Sequence, residues 1–146
     1  MTAHPNIVDT VTAIRDILTR SKTIAVLGIK TEAQADQAAY YVPQYLQSAG
    51  YDVVPVPVYY PDATEILGRK VYRKIADIPE AVDLVNVFRR PNDIPPHVDD
   101  ILAKKPRAVW FQLGIRHDAA ALELAAAGIK VVQDRCIMVD HQTMVL

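Results

Sequence analysis

The sequence predicts an α/β protein, a Rossmann-like three-layer sandwich with a mainly parallel sheet of about five strands. Two observations support this class. Short apolar runs alternate with segments of helical spacing along the whole chain, and continuous apolar strands are typical of parallel sheets covered by helices on both faces. The length of 146 residues suits one domain over residues 1–146.

Helical periodicity and strand-like runs define the first half of the chain. Val8, Val11, Ile14 and Leu18 recur every three or four residues, which predicts a helix. Gly50 suits the end of a second helix, in which a proline is tolerable only near the start. The predicted elements are helix 8–19, strand 23–28, loop 29–37, a helix carrying residues 41–49, strand 51–58, one helical turn at 65–67 and a short strand at 70–72.

The second half continues the same alternation. An alanine-rich segment predicts a helix on propensity, and Gly128 is placed to end it. The predicted elements are a connector at 76–79, strand 83–87, helix 97–104, strand 108–112, helix 117–127 and strand 129–132.

Composition excludes several classes of function. The formal net charge is −1 and no apolar run approaches the length of a membrane span, so neither nucleic acid nor membrane is an expected partner. The N-terminal segment, residues 1–9, is polar and does not resemble a signal peptide. A single cysteine excludes an intrachain disulfide. We expect a cytoplasmic protein.

The residues directly after each strand are the candidates for ligand binding, because ligands of open parallel sheets bind beyond the carboxyl ends of the strands. Gly28 ends the first strand and Lys30 follows it. A glycine there admits a phosphate close to the backbone, although an ordinary turn uses glycine as well. The three-glycine dinucleotide pattern is absent.

The end of the second strand argues against the usual NAD site. Such a site carries an acid near that end, but Asp52 lies at the beginning of the strand. Val56 and Pro57 stand at the end instead, and they suit either an adenine ring or merely a stiff strand end.

Charged and polar residues follow the later strands. Arg89 and Arg90 can bind phosphate or a carboxylate bidentately, or pair with Asp93. Gln112 and Gly114 end the fifth strand. Cys136, after the last strand, is either a reactive thiol or a small buried hydrophobe.

Catalytic signatures are thin. The four histidines have no ligand spacing, and there is no nucleophile elbow, phosphate-binding loop with Lys-Ser or paired-cysteine metal motif. We therefore expect neither a resident metal nor catalytic residues.

A set of motifs resembles one protein family. Strand 23–28 ends in Gly28, and six further blocks follow: YLQSAGY (45–51) with VVPV (53–56), LGRKVY (67–72), ADIP (76–79), VDLVNVFRR (82–90), VWFQLG (109–114) and AGIKVVQDRC (127–136). From about residue 21 to 141 the chain resembles the small stand-alone CoA-binding proteins, which are similar to the N-terminal domain of the succinyl-CoA synthetase α subunit.

The resemblance implies a Rossmann-like fold that binds coenzyme A or an acyl-CoA across the strand ends. By position, Gly28, Ile29 and Lys30 would lie at the phosphates. The nucleoside would be flanked by Val56 and Pro57 on one side and by Val87 and Phe88 on the other. Gln112 and Gly114 would border the pocket.

One segment departs from the family pattern. The first loop of the family has a proline, an arginine and a serine after the glycine, but residues 33–38 carry no basic residue. This departure predicts weaker binding of phosphate by the first loop. Two alternatives to a non-catalytic CoA-binding module stay open: an enzyme that uses a nucleotide for redox chemistry or Cys136 for acyl transfer, and an interaction subunit whose nucleotide site has decayed. A protein partner or a homo-oligomer is compatible with each of these hypotheses.

Overall fold

The computed structural model describes residues 4–146, so the start of the polar N-terminal segment (1–3) lies outside it. The strands are β1 (Thr23–Leu27), β2 (Asp52–Val56), β3 (Glu65–Ile66), β4 (Arg69–Lys70), β5 (Leu84–Val87), β6 (Ala108–Phe111) and β7 (Lys130–Val132). The α-helices are α1 (Val11–Arg20), α2 (Ala38–Ser48), α3 (Val98–Lys104), α4 (Asp118–Ala126) and α5 (Ile137–Met144). Short 3₁₀ turns span Glu32–Gln34, Ile75–Asp77, Pro91–Asp93 and Pro95–His97.

Five strands form one parallel sheet in the order β2-β1-β5-β6-β7, and helices cover both of its faces. Successive residues of a strand point to opposite faces. Trp110 and Phe111, both fully buried, therefore belong to two separate cores. Helices α3 and α4 pack on one core, and α1, α2 and α5 pack on the other. The predicted three-layer α/β class is confirmed.

The strand order reverses beside β1, which pairs with β2 on one side and with β5 on the other. The chain crosses from β1 to β2 in one direction and then passes back over β1 to reach β5. The carboxyl ends of β1 and β5 therefore form the switch point at which ligands of such sheets bind.

The first helix begins later than its apolar periodicity predicts. It starts at Val11, because the Thr10 hydroxyl accepts a hydrogen bond from the amide of Ala13 (3.2 Å) and caps the helix. Val8 lies instead in an extended segment along the edge of the sheet, where its amide donates to Val131 O (2.9 Å).

The helical turn predicted at residues 65–67 is wrong. β3 and β4 form an antiparallel hairpin there, and the two residues between them, Leu67 and Gly68, have φ angles of 54° and 76°. Two consecutive positive φ values are the signature of a type I′ turn, which matches the twist of a hairpin.

Pro43 lies inside α2 rather than near its start. A proline has no amide hydrogen, so the carbonyl of Ala39, four residues earlier, receives no bond from it within the helix. That carbonyl accepts the backbone N–H of Lys30 instead (3.1 Å). The proline thereby leaves free the group that ties the loop after β1 to α2.

The sequence patterns missed α5. This helix packs beside α2, where Nδ1 of the buried His141 and the Tyr45 hydroxyl share a hydrogen bond of 2.7 Å. The rings of Tyr45 and Tyr51 contact His141 edge-on. Burial lowers the pKa of His141 from its ordinary value. No helix of residues 4–146 has both the length and the apolar character needed to cross a membrane.

Mild acid is expected to destabilise the fold through His141. The unfolded chain takes up a proton near pH 6.5, its ordinary pKa, whereas the folded chain does so only at lower pH. The free energy of unfolding should therefore be independent of His141 above that pH and fall below it. Urea unfolding between pH 7.5 and 5.5 measures the change. His141→Gln, which does not titrate, should show a shallower fall, and equal slopes in the two proteins would contradict this prediction.

Candidate functional site

Four of the strand-end residues predicted from sequence meet at one edge of the sheet. The strand registers place Gly28, Pro57, Phe88 and Gln112 one position beyond the last paired residues of β1, β2, β5 and β6. Backbone hydrogen bonds continue across this row, from Gly28 N to Val56 O (2.9 Å) and from Phe88 N to Leu27 O (2.8 Å). We call this row and its loops the carboxyl edge.

Position 28 requires a glycine because two loops approach each other closely there. Its φ is +86°, and a Cβ atom at this position would lie 2.2 Å from the carbonyl oxygen of Phe88. The backbone after β5 therefore occupies the space of the missing side chain. The glycine holds the loops at the switch point together, a role that the sequence pattern alone did not reveal.

Arg89 lies against this glycine with its side chain only 15% exposed. Its Cδ would be 3.4 Å from a Cβ at Gly28. Its Nε donates to Nε2 of His97 (3.2 Å), and its Cζ lies 5.8 Å from the centre of the Tyr59 ring. The two terminal nitrogens donate no hydrogen bond within residues 4–146, and the nearest acid, Asp93, is 3.9 Å away. Arg89 thus keeps donors available at the switch point.

Arg90 has a different environment. Its side chain is 82% exposed, and its Nε donates to Oδ2 of Asp93 (3.1 Å). The two arginines, adjacent in sequence, therefore differ in burial and in partners, and only Arg89 lies beside Gly28.

The loop after β1 leads into α2 with unpaired backbone donors. The first two amides of the helix, those of Ala38 and Ala39, have no acceptor within the described part of the chain, and Gln37 supplies no side-chain cap. Such amides at a helix N-terminus favour an anion. The Lys30 ammonium group donates to the side chain of Gln37 at the same end. Ile29 points into the core, so only its backbone reaches the loop surface.

The residues predicted to flank a nucleoside are largely inside the protein. Val56 and Val87 are fully buried in the core beneath the carboxyl edge, Pro57 is buried, and Phe88 is half-buried. The exposed aromatic ring at this edge belongs to Tyr59, which is 60% exposed.

Arg73 shapes the loop that carries Tyr59. Its guanidinium donates to three backbone carbonyls of that loop, those of Tyr59 (3.0 Å), Tyr60 (2.8 Å) and Ala63 (3.1 Å). Tyr60 adopts a positive φ of 64° within this turn. The arginine therefore holds the loop closed next to Arg89.

Gln112, Gly114 and Cys136 lie farther along the edge. Gln112 is buried, and its Oε1 accepts from the amide of Ile137 (3.3 Å), which ties the end of β6 to the start of α5. Gly114 is exposed, with its amide bound to Asp134 (2.6 Å). Cys136 is half-buried at the N-terminal cap of α5 and packs against the apolar core.

Tyr59, Arg73 and His97 contribute to this edge and were not predicted from sequence. His97 contacts Arg89, 8 residues away. Arg73 binds the loop at residues 59–63, which carries Tyr59, from 10 to 14 residues away. No local spacing encodes such contacts. Among residues 4–146 no group of three His, Cys, Asp or Glu side chains is placed to hold a metal ion.

Two grooves lie away from the carboxyl edge. One, of about 550 Å³, is lined by α1 and Lys130. The other, of about 290 Å³, borders Arg107 and Gly128. Both include Lys130, the first residue of β7, and therefore lie at the opposite edge of the sheet from the switch point. Grooves of about 600 Å³ beside Arg90 and about 570 Å³ beside His97 are at least as large. Topology therefore favours the carboxyl edge as the candidate site.

Comparison with known proteins identifies the family of this chain. The model of the CoA binding domain family matches residues 22–142. The Bacillus subtilis protein YneT is 35% identical over 128 residues, which cover 88% of this chain and 91% of that protein. The solved structure of cell-free ID.343 from Thermus thermophilus is 39% identical and covers 93% of this chain and 99% of that one, with a TM-score of 0.85. A hypothetical protein from Pyrococcus horikoshii OT3 is 34% identical, with coverages of 100% and 99% and a TM-score of 0.85. Because the family model matches most of the chain, this protein belongs to the CoA binding domain family.

Proposed function

We propose that this protein binds coenzyme A or an acyl-CoA through its adenosine diphosphate part at the carboxyl edge, and that it catalyses no bond change on its own. One observation carries the proposal beyond family membership: Arg89 lies beside Gly28 at the switch point, mostly buried, and its terminal nitrogens donate no hydrogen bond within residues 4–146, with the Asp93 carboxylate 3.9 Å from one of them. A guanidinium with free donors is suited to bidentate binding of a phosphate.

The unpaired amides of α2 support the same assignment. They lie at the end of the loop that follows Gly28, on the carboxyl side of the sheet. A pyrophosphate between Arg89 and this helix end would neutralise the cation and satisfy both amides. Ile29 would contribute through its backbone, and Lys30 would add charge at the same end.

Arg89 also offsets the departure of the first loop from the family pattern. Residues 33–38 supply no cation, and the loop contains the acids Glu32 and Asp36. In the proposed complex the arginine that binds the phosphates comes from the loop after β5, and the loop after β1 contributes Lys30 as its cation. The exposed ring of Tyr59 would lie against the adenine, above the buried Val56, Pro57 and Val87 and beside Phe88. The pantetheine arm would pass Gln112 and Gly114 toward Cys136.

We expect calorimetric titration to show binding of CoA and acetyl-CoA and binding of NAD that is at least about tenfold weaker. The end of β2 offers NAD no acid for its adenosine ribose, because Asp52 lies at the other end of the strand, in an ion pair with Arg69 (3.1 Å). ATP serves as the control for general recognition of adenine and phosphate. Binding of NAD as tight as that of CoA would refute the proposed ligand.

A further inference from the structure

His97 contacts the arginine on which the proposed site depends. Its Nε2 accepts the hydrogen bond from Arg89 Nε at 3.2 Å. With Nε committed to His97, the planar guanidinium is held in one orientation and its terminal nitrogens are left for another acceptor. The ring of Tyr59 and the carboxylate of Asp93 border the same group at longer distances.

The backbone around His97 is well anchored. The residue ends the 3₁₀ turn Pro95–His97, in which two prolines restrict φ, and its amide donates to Ile94 O (2.9 Å). Val98 and Ile101, both buried, fix the helix that follows. The imidazole is half-buried and lies where this turn meets α3.

The hydrogen bond constrains the protonation state of this histidine. Because Nε2 is the acceptor, the neutral ring must carry its proton on Nδ1. A second proton on Nε2 would place two N–H groups, and two positive charges, against each other. Arg89 would then lose its acceptor.

The groups around His97 shift its pKa in both directions. Burial lowers the pKa of His97 and the Arg89 cation lowers it further, while Asp100 and Asp93 act in the opposite sense. The groove beside the imidazole is lined by further charged groups, namely Arg73, Lys74, Asp77 and Asp99. The lowering effects prevail, so the ring is neutral at neutral pH.

We infer that neutral His97 is a positioning residue for Arg89, and that its protonation in mild acid releases Arg89 and weakens the binding of a pyrophosphate ligand. The inference rests on the proposed function. It adds a regulation by pH to the same site.

Dephospho-CoA is the appropriate probe, because its pyrophosphate diester has no proton to gain in mild acid, whereas the 3′-phosphate monoester of CoA titrates near pH 6. We expect calorimetry to show affinity that is constant above about pH 7 and falls about fivefold or more toward pH 5. His97→Gln retains an acceptor that does not titrate, so it should keep the affinity within about threefold and lose the pH dependence. His97→Leu should bind weakly at every pH.

Three outcomes would overturn the inference: wild-type affinity that does not change with pH, affinity that rises in acid, or a His97→Leu variant that binds as the wild type does. Circular dichroism at each pH checks folding. The His97→Gln variant shares any acid effect of His141, so the difference between the two proteins isolates His97.

A measurement without ligand separates this inference from the proposed function. Nitrogen-15 NMR of the free protein should find His97 in the Nδ1–H tautomer at pH 7.5, and Arg89→Ala should raise its pKa and change the tautomer. If His97 keeps the Nδ1–H tautomer in Arg89→Ala, the hydrogen bond from Arg89 does not set its protonation state, and the inference is refuted. If NMR shows the Arg89–His97 hydrogen bond but dephospho-CoA does not bind at any pH, the proposed function is refuted. The regulation built on it is then refuted as well.

Discussion

Arg89→Ala is expected to weaken the binding of CoA by about ten- to a hundredfold, because hydrogen bonds between charged groups are worth about 1.5–3 kcal/mol each. Its terminal nitrogens lie beside Gly28 and donate no hydrogen bond within residues 4–146, with Asp93 no closer than 3.9 Å. Arg90→Ala is the matched control. Its side chain is exposed and paired with Asp93, so affinity should change by less than about threefold. Calorimetric titration at two salt concentrations measures both variants.

The salt dependence distinguishes a direct contact from a long-range charge effect. Loss of a direct phosphate contact persists at high salt, whereas the effect of an exposed charge is screened. Urea unfolding of both variants must show intact folding before affinities are compared. Equal loss in the two variants, or loss in neither, would mean that the position of Arg89 beside Gly28 does not determine ligand binding.

Gly28→Ala is expected to destabilise the fold by about 3 kcal/mol or more, since a clash with rigid backbone adds to the cost of a left-handed conformation. The new Cβ would lie 2.2 Å from the carbonyl oxygen of Phe88, at a φ of +86°. To relieve the clash, the loops after β1 and β5 must separate. Urea unfolding measures the loss of stability, and CoA affinity of the folded fraction should fall as well.

Gly128→Ala separates the two contributions. Its φ of +90° is nearly the same, but nothing lies within 4 Å of the added Cβ. The free energy of unfolding of this variant should fall by only about 1–2 kcal/mol, the cost of a left-handed conformation for a residue with a Cβ. Similar losses at the two glycines would show that the loops at the switch point have room to move, and would contradict the role assigned to Gly28.

These experiments concern two residues whose roles were only partly predictable. Sequence reasoning proposed Gly28 as a point of close approach to a phosphate, and the structure adds an approach by the protein's own backbone. It proposed Arg89 and Arg90 together, and their burial separates them. The side chains of adjacent residues at a strand end point to different sides of the chain. A sequence pattern does not show which of the two faces the switch point.

The secondary structure was predictable where it follows from apolar periodicity. Strands β1, β2, β5, β6 and β7 were expected within two residues of their bounds. The hairpin of β3 and β4 was mistaken for a helical turn, because Gly68 also suits a helix end. Helix α5 was missed, since two of the residues it buries, Asp140 and His141, are polar and obscure its apolar pattern.

The sequence by itself determined the parallel α/β architecture and the family resemblance, and it predicted the edge of the sheet at which a ligand would bind. All three follow from local hydrophobic patterns and from motifs that are contiguous in the chain. Only the tertiary structure decided which arginine lies at the switch point, that His97 accepts its Nε–H, and that Arg73 closes the Tyr59 loop. The physical reason is that a side chain's orientation and charge state depend on partners that folding brings together from separate segments.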